Sequence, residues 1–367
     1  MKVPMLDVKA QIESCKPQLL SAIHKVIDDC QFIMGPEIKE LECKLAGYTK
    51  SKYAVSCASG TDALLLALRA YDIGAGDEVI TTPFTFFATA GAIANVGAKP
   101  VFADILDDTF NIDPSQIESK INSRTKAVIP VHLFGQCAEM DAVIKIARKY
   151  NLKVIEDTAQ SLGAKYKGVM AGTIGDIGCY SFFPSKNLGA IGDGGFVTAQ
   201  TPDIAEKLAI LRLHGSKPKY YHSIIGTNSR LDTIQAAVLL VKLPMLDGWA
   251  AKRIENAMYY SQALSGIDGL RTPYVDPNCY HVFNQYTLRT PKRDELMKHL
   301  EANNIGCAIY YPVALHLQKC FEYLGYKEGD FPVSEKAAKE SVSIPVYPEL
   351  KKDQMDYVIS TIKEFFK

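Results

Sequence analysis

Val154-Ile155-Glu156-Asp157-Thr158-Ala159-Gln160 begins as a β-branched apolar pair behind Lys153 and ends in acids. Such a run reads as a buried strand that carries a carboxylate to its C-terminal end, the edge at which α/β sheets hold their ligands. Outward from it, similar short runs recur between Tyr53 and Ala199: Tyr53–Ser56, Glu78–Thr81, Lys99–Ala103, Thr125–Pro130, Lys153–Ile155, Gly178–Ser181 and Gly195–Thr198. Between them, Asp62–Ala70, Ala88–Asn95, Pro114–Lys120 and Asp141–Tyr150 have amphipathic helical spacing. The alternation predicts an α/β domain, a mainly parallel sheet with helices on both faces. From Ile204 to about Asp247 the pattern is helical. A segment rich in lysine and tyrosine then leads to a strand-like Asn284–Leu288 and to helices at Arg293–Asn303 and Lys352–Phe366. The expected division is a large domain over residues 1–247, with an N-terminal helical segment, and a smaller C-terminal α+β domain over 248–367.

The bulk properties narrow the function. A chain of 367 residues that is 47% hydrophobic can fill two cores. Its 41 basic and 41 acidic side chains cancel, so no global field recruits nucleic acid or an anionic membrane, and any bound anion needs a local site. Nine scattered cysteines with no C-x-x-C argue against a disulfide framework and a zinc site. The N-terminus has no apolar leader and no run of residues approaches a membrane span, so the expected location is the cytoplasm. There is no G-x-S-x-G elbow for a hydrolase and no P-loop for a nucleoside triphosphate.

Three pieces carry chemistry. Ser59-Gly60-Thr61-Asp62 follows an apolar strand and opens a helix; the free amides of a helix N-terminus suit a phosphate, although taken alone Ser59 or Thr61 reads more readily as a simple cap. Asp157 at its strand end can pair with a heterocyclic N–H⁺ or cap the next helix. Lys186, in Ser181-Phe182-Phe183-Pro184-Ser185-Lys186-Asn187-Leu188-Gly189, lies between aromatics and a glycine run that ends in Gly192-Asp193-Gly194-Gly195. Desolvation there would make it a nucleophile toward a carbonyl, whereas a lone lysine is more often a solvated charge. Together the three meet the needs of one cofactor, pyridoxal phosphate: a phosphate cradle, an acid for the ring nitrogen and an amine for the aldehyde.

On these residues the chain resembles the sugar aminotransferases named for DegT, DnrJ, EryC1 and StrS, within the fold-type I, aspartate-aminotransferase-like enzymes. The resemblance runs from Gly35-Pro36-Glu37 through Ser59–Leu64, Gly76-Asp77-Glu78-Val79-Ile80 and Glu156-Asp157 to Ser181–Gly195 and Asn228-Ser229-Arg230-Leu231-Asp232. It implies that Lys186 binds the cofactor aldehyde and shuttles a proton, that Asp157 meets the ring nitrogen, and that Gln160 lies near the ring hydroxyl. Phe86 would stack on the ring; Gly60, Thr61 and Ser181 would cradle the phosphate. Asn228 would be lent to the phosphate of a partner subunit, which makes a homodimer with shared sites the expected form. L-Glutamate as donor is likewise implied by the family.

On the sugar side, Asp193 and the residues around Lys186 resemble most the branch that acts on 3-keto nucleotide sugars, UDP- or dTDP-linked. Arg230 can hold a pyrophosphate or carboxylate, or pair with Asp232 at a helix start. Tyr310, Tyr311 and His316 form a cluster that can line a sugar pocket, although tyrosines of this kind are also common core or interface residues. His214 covers the site or caps a helix. The loop Lys217, Lys219, Tyr220, Tyr221 and His222 can touch a diphosphate, with a solvated loop as the plain alternative. Family members that remove a sugar hydroxyl carry histidine at the lysine position, so Lys186 favours transamination. A 4-keto sugar as substrate, a dehydratase and a non-catalytic sensor are the alternatives, and lipopolysaccharide, capsule and glycosylated natural products are all open as destinations.

Overall fold

A computed structural model describes residues 1–367. Twelve strands are β1 (Tyr53–Cys57), β2 (Glu78–Thr81), β3 (Lys99–Phe102), β4 (Thr125–Val128), β5 (Lys153–Asp157), β6 (Lys165–Tyr166), β7 (Val169–Met170), β8 (Ile177–Ser181), β9 (Gly195–Ala199), β10 (Cys279–Tyr280), β11 (Tyr286–Arg289) and β12 (Ser341–Ile344). Seven form one sheet in the order β1-β9-β8-β5-β4-β2-β3. Only β9 runs against its neighbours β1 and β8; the pairs from β8 through β5, β4 and β2 to β3 are parallel. The parallel strands therefore present their C-terminal ends at one edge, and the connecting helices cover both faces. One face packs Val79, Ile129, Ile155 and Val197 under the helix Gly60–Ala70, while the other packs Val128 and Val154 against the helix Met140–Tyr150. This is the mainly parallel, helix-flanked α/β architecture that the alternation of runs predicts.

Several elements differ from the sequence reading. The stretch Pro114–Lys120 is an α-turn over Pro114–Ile117 followed by a 3-10 turn over Glu118–Lys120. The region from Ile204 to Asp247 is not one helical run: the helix Pro202–Leu211 ends, an irregular segment follows, and helix resumes at Thr233–Lys242. Gly215, at φ +76, and Pro218 punctuate that gap. Contrary to the expectation of no apolar run of that length, the helical stretch Thr233–Leu264 is long and apolar enough to cross a membrane by length and composition. Ala236, Val238, Leu239, Leu246, Ala257 and Leu264 are buried in the protein core, which accounts for their apolar character.

The helix Leu246–Leu264 spans the expected boundary at residue 247. Leu246 packs with the core around Leu41 and Phe182, whereas Ala257, Tyr260 and Leu264 pack with the C-terminal core of Leu288, Leu296 and Val358. Val3, at the other end of the chain, lies in that C-terminal core too and forms a parallel bridge with Ile305. The strand in the C-terminal part falls at Tyr286–Arg289, paired antiparallel with β12.

Candidate active site

At the C-terminal edge of the sheet lies a cavity of about 430 Å³, within the usual range for small-molecule sites. Thr85 and Phe86 beyond β2, Val131 beyond β4, Asp157 at the end of β5 and Ser181 at the end of β8 all line it. Gly60 and Thr61 enter from the start of the helix that follows β1. Lys186 and Asp193 come from the β8–β9 connection, and Gln285, Tyr310 and Tyr311 from the C-terminal part. Thr85, Val131, Asp157 and Ser181, far apart in sequence, thus share one space because the parallel strands end together.

The acid and the amine open onto this same cavity. Adjacent strand residues point to opposite faces, so Glu156 and Asp157 diverge. Glu156 turns away to accept from His132 Nε2 at 2.8 Å and from the amides of Gly172, Ile174 and Gly175. The His132 ring accepts at Nδ1 from the Ala138 amide, which leaves Nε2 as the donor. Asp157 is 5% exposed and forms no ion pair; it accepts from Thr89 Oγ1 at 2.8 Å and the Ala159 amide at 3.2 Å. Burial raises its pKa, against the lowering effect of those two bonds and of the Lys186 charge. Lys186 touches the cavity but is crowded by protein on its other sides, and desolvation lowers its pKa from 10.5 to about 8, with Asp157 acting in the opposite sense.

The cradle is built of bare backbone. Ser59 caps the helix Gly60–Ala70, its hydroxyl accepting from the Asp62 amide at 3.1 Å. The amides of Gly60 and Thr61, at the first turn, have no carbonyl four residues back within the helix to bond. A Cβ at Gly60 would lie 2.7 Å from the Ser181 Cβ, so glycine is what lets the helix start reach the end of β8. Phe86 is 55% exposed and forms a wall with Tyr311, their ring centroids 6.0 Å apart. Gln160 accepts from the Phe134 amide at 2.7 Å and donates to the Tyr311 hydroxyl at 2.9 Å, and burial raises the Tyr311 pKa.

Pyridoxal phosphate fits these groups. A buried carboxylate without a cation, an amine with a depressed pKa and an open helix start crossed by no Cβ are the partners its ring nitrogen, aldehyde and phosphate require.

Three expected residues lie outside the cavity. His316 is not a wall of the pocket: it is 2% exposed, bonded to Glu335 at 3.0 Å and set edge-on against Phe331. Its ring is a buried polar group satisfied by that acid, in a cluster with Leu315 and Phe321. Asn228 and Arg230 are absent from the cavity lining; Arg230 Nε donates to Asn228 Oδ1 at 2.9 Å and makes no pair with Asp232. Ser229 between them donates to Asp62 at 2.8 Å, which ties this segment to the start of the helix Gly60–Ala70. His214 lines a separate surface recess with His222 and Ile225, and Lys217 pairs with Glu206. The sequence reading also missed Thr85, Phe183 and Gln285 as lining residues, and Thr89 behind Asp157.

Residues 14–363 match the family model of the DegT/DnrJ/EryC1/StrS aminotransferase family. A pleiotropic regulatory protein of Geobacillus stearothermophilus is 51% identical over 369 residues, covering 100% of this chain and 99% of that one. The UDP-N-acetyl-3-dehydro-α-D-glucosamine 3-aminotransferase of Acidithiobacillus ferrooxidans is 44% identical over 361 residues, 98% of this chain and 97% of its own. The crystal structure of DesV from S. venezuelae, in complex with a ketimine intermediate, superposes with a TM-score of 0.98 at 40% identity, over 100% of this chain and 99% of that one. Matched in sequence and fold from end to end, the chain belongs to the DegT/DnrJ/EryC1/StrS aminotransferase family, whose cofactor is pyridoxal phosphate.

Proposed function

We propose that the protein moves an amino group from L-glutamate to the ketone of a nucleotide-linked sugar, a 3-keto UDP- or dTDP-sugar first among the candidates, and that it does so as a homodimer. The observation that carries this reading is that Lys186 and Asp157 face one cavity at whose far end the helix Gly60–Ala70 begins. When bound, pyridoxal phosphate supplies an aldehyde and a protonated ring that draws in electron density. Asp157 keeps the ring nitrogen protonated, because a carboxylate already desolvated gains most from a cation placed against it. Lys186, with a pKa of about 8, has a sizeable neutral fraction near neutral pH, so its Nζ can attack a carbonyl and later carry a proton to or from the substrate carbon. The Gly60 and Thr61 amides and the Ser181 hydroxyl hold the phosphate, and Phe86 and Tyr311 shield the ring from water.

Tyr311 accepts the Gln160 amide proton, which leaves its own O–H free to donate to a sugar hydroxyl, with Tyr310 beside it in the cavity wall. Asn228 and Arg230, outside their own cavity but tied to the helix start, would serve the partner subunit's phosphate and the anionic part of its substrate. The choice of a 3-keto sugar draws on the Acidithiobacillus relative and on the resemblance around Lys186; glutamate draws on the family. A regulatory role draws on the name of the Geobacillus relative, while an amine and an acid sharing a formed cavity favour turnover. The deciding experiment incubates the pure protein with glutamate and a panel of 3-keto and 4-keto UDP- and dTDP-sugars and reads products by mass spectrometry. Amination of a 3-keto sugar with matching 2-oxoglutarate is expected. Amination confined to 4-keto sugars contradicts the choice of carbon, loss of oxygen means a dehydratase, and no product with any sugar favours the regulator.

A further inference from the structure

We propose that Thr89 is a positioning residue that holds Asp157 charged and aimed at the cofactor ring, and that Thr85 sets the direction of the Thr89 hydroxyl. The inference rests on the reading of Asp157 as partner of the ring nitrogen. Each carboxylate oxygen of Asp157 has one protein donor. The Ala159 amide reaches Oδ1 at 3.2 Å, and Thr89 Oγ1 reaches Oδ2 at 2.8 Å. The threonine is thus the shorter contact and the one that a side-chain change can remove.

A hydroxyl has one proton to give. Thr89 gives its proton to the carboxylate, so across the 3.0 Å contact between Thr85 Oγ1 and Thr89 Oγ1 the donor must be Thr85. Both threonines are buried, Thr85 three residues before the helix Ala88–Asn95 and Thr89 in its first turn, yet Thr85 lines the cavity. One short segment therefore supplies the aromatic wall, Phe86, and the polar chain behind the acid.

Around Asp157 the other titratable groups are Lys186, whose charge favours the carboxylate, His132, whose ring is held by Glu156 and the Ala138 amide, and Cys179 and Tyr311, which stand beside it without bonding to it. Glu156 points to the opposite face and is consumed by His132 and three amides. None of these forms an ion pair with Asp157, so before a ligand arrives its direct contacts are neutral donors, and a hydrogen bond to the ionised form opposes the penalty of burial.

The test uses apoprotein and pyridoxamine phosphate, which cannot condense with Lys186, and follows affinity by fluorescence from acid to mildly alkaline pH for wild type, Thr89→Val, Thr89→Ser, Thr85→Val and Asp157→Asn. Thr89→Val is expected to bind about tenfold more weakly at neutral pH. Its affinity should begin to fall toward acid about one pH unit above the wild type. Thr89→Ser should restore both, and Thr85→Val should shift the acid limb in the same direction by less. Should Thr89→Val fail to fold, Thr85→Val carries the test, since it leaves the bond to Asp157 in place. A uniform loss of affinity with an unmoved acid limb would make Thr89 a packing residue and overturn the proposal. An acid limb that survives in Asp157→Asn would instead overturn the role of Asp157 itself.

Discussion

Lys186 is the residue whose environment departs furthest from that of an ordinary lysine while remaining in contact with the cavity. An unfolded chain would hold its proton up to a pKa near 10.5; the folded chain releases it at about 8. Between those values the unfolded state binds the extra proton, so this side chain's contribution to stability rises with pH through that window and is at its most unfavourable below 8. Lys186→Met should accordingly stabilise the apoprotein at neutral pH by about 1–2 kcal/mol, a figure reduced for the part of the side chain that solvent reaches. The gain should fade as pH approaches 10.5. Urea unfolding of both proteins at neutral and alkaline pH measures this, and a difference that does not change with pH contradicts it. Asp157 and Lys186 were legible in the sequence because each lies where local pattern and chemistry agree: an acid at a strand end, and a lysine between aromatics and glycines. Thr89 was not, since a threonine in a small, apolar helix reads as filler until the fold brings it against an acid 68 positions away. His316 was misread for the converse reason. Its partner Glu335 is 19 residues on and leaves no local mark, so a ring near two tyrosines looked like part of their pocket.

At the scale of elements, short β-branched or apolar runs located every strand of the large sheet, and Glu78–Thr81 and Ala88–Asn95 have the bounds that the sequence predicts. The antiparallel insertion of β9 between β1 and β8 has no such signature, because strand order is set by long-range pairing and not by the residues of any one strand. Over Ile204–Asp247 the helical reading ran past Gly215 and Pro218, two residues that lie in the break between the helices. The contact between the helix Gly60–Ala70 and β8 is the element-level feature on which the cradle depends. Gly60→Ala puts a methyl group 2.7 Å from the Ser181 Cβ. The backbones must part, so a loss of about 1–3 kcal/mol in stability is expected, together with a fall in affinity for pyridoxal phosphate. Melting of the apoprotein and a cofactor titration read the two effects; an unchanged affinity would mean that the helix start does not hold the phosphate.

Taken whole, the molecule gathers its site from both parts of the chain: the amine, the acid and the cradle from the large sheet, Tyr310 and Tyr311 from the C-terminal part. The helix Leu246–Leu264, with one end in each core, and Val3, bridged to Ile305, join those parts, and composition shifts along the chain hint at neither link. The proposed sharing of Asn228 across a dimer has a direct consequence. Asn228→Ala and Lys186→Ala chains, each inactive alone, should regain about a quarter of wild-type activity when refolded together, since half of randomly paired dimers are mixed and one of their two sites is intact. Failure of the mixture to recover activity would mean that Asn228 serves its own subunit's site or none. The central claim, that the Lys186 amine reaches the cofactor aldehyde while Asp157 stands behind the ring, is tested most directly by loading the protein with pyridoxal phosphate, reducing with borohydride and mapping the modified peptide by mass spectrometry. The label should fall on Lys186, be absent from Lys186→Ala and be strongly reduced in Asp157→Ala. A label on another lysine, or one that persists undiminished in Lys186→Ala, would contradict the account.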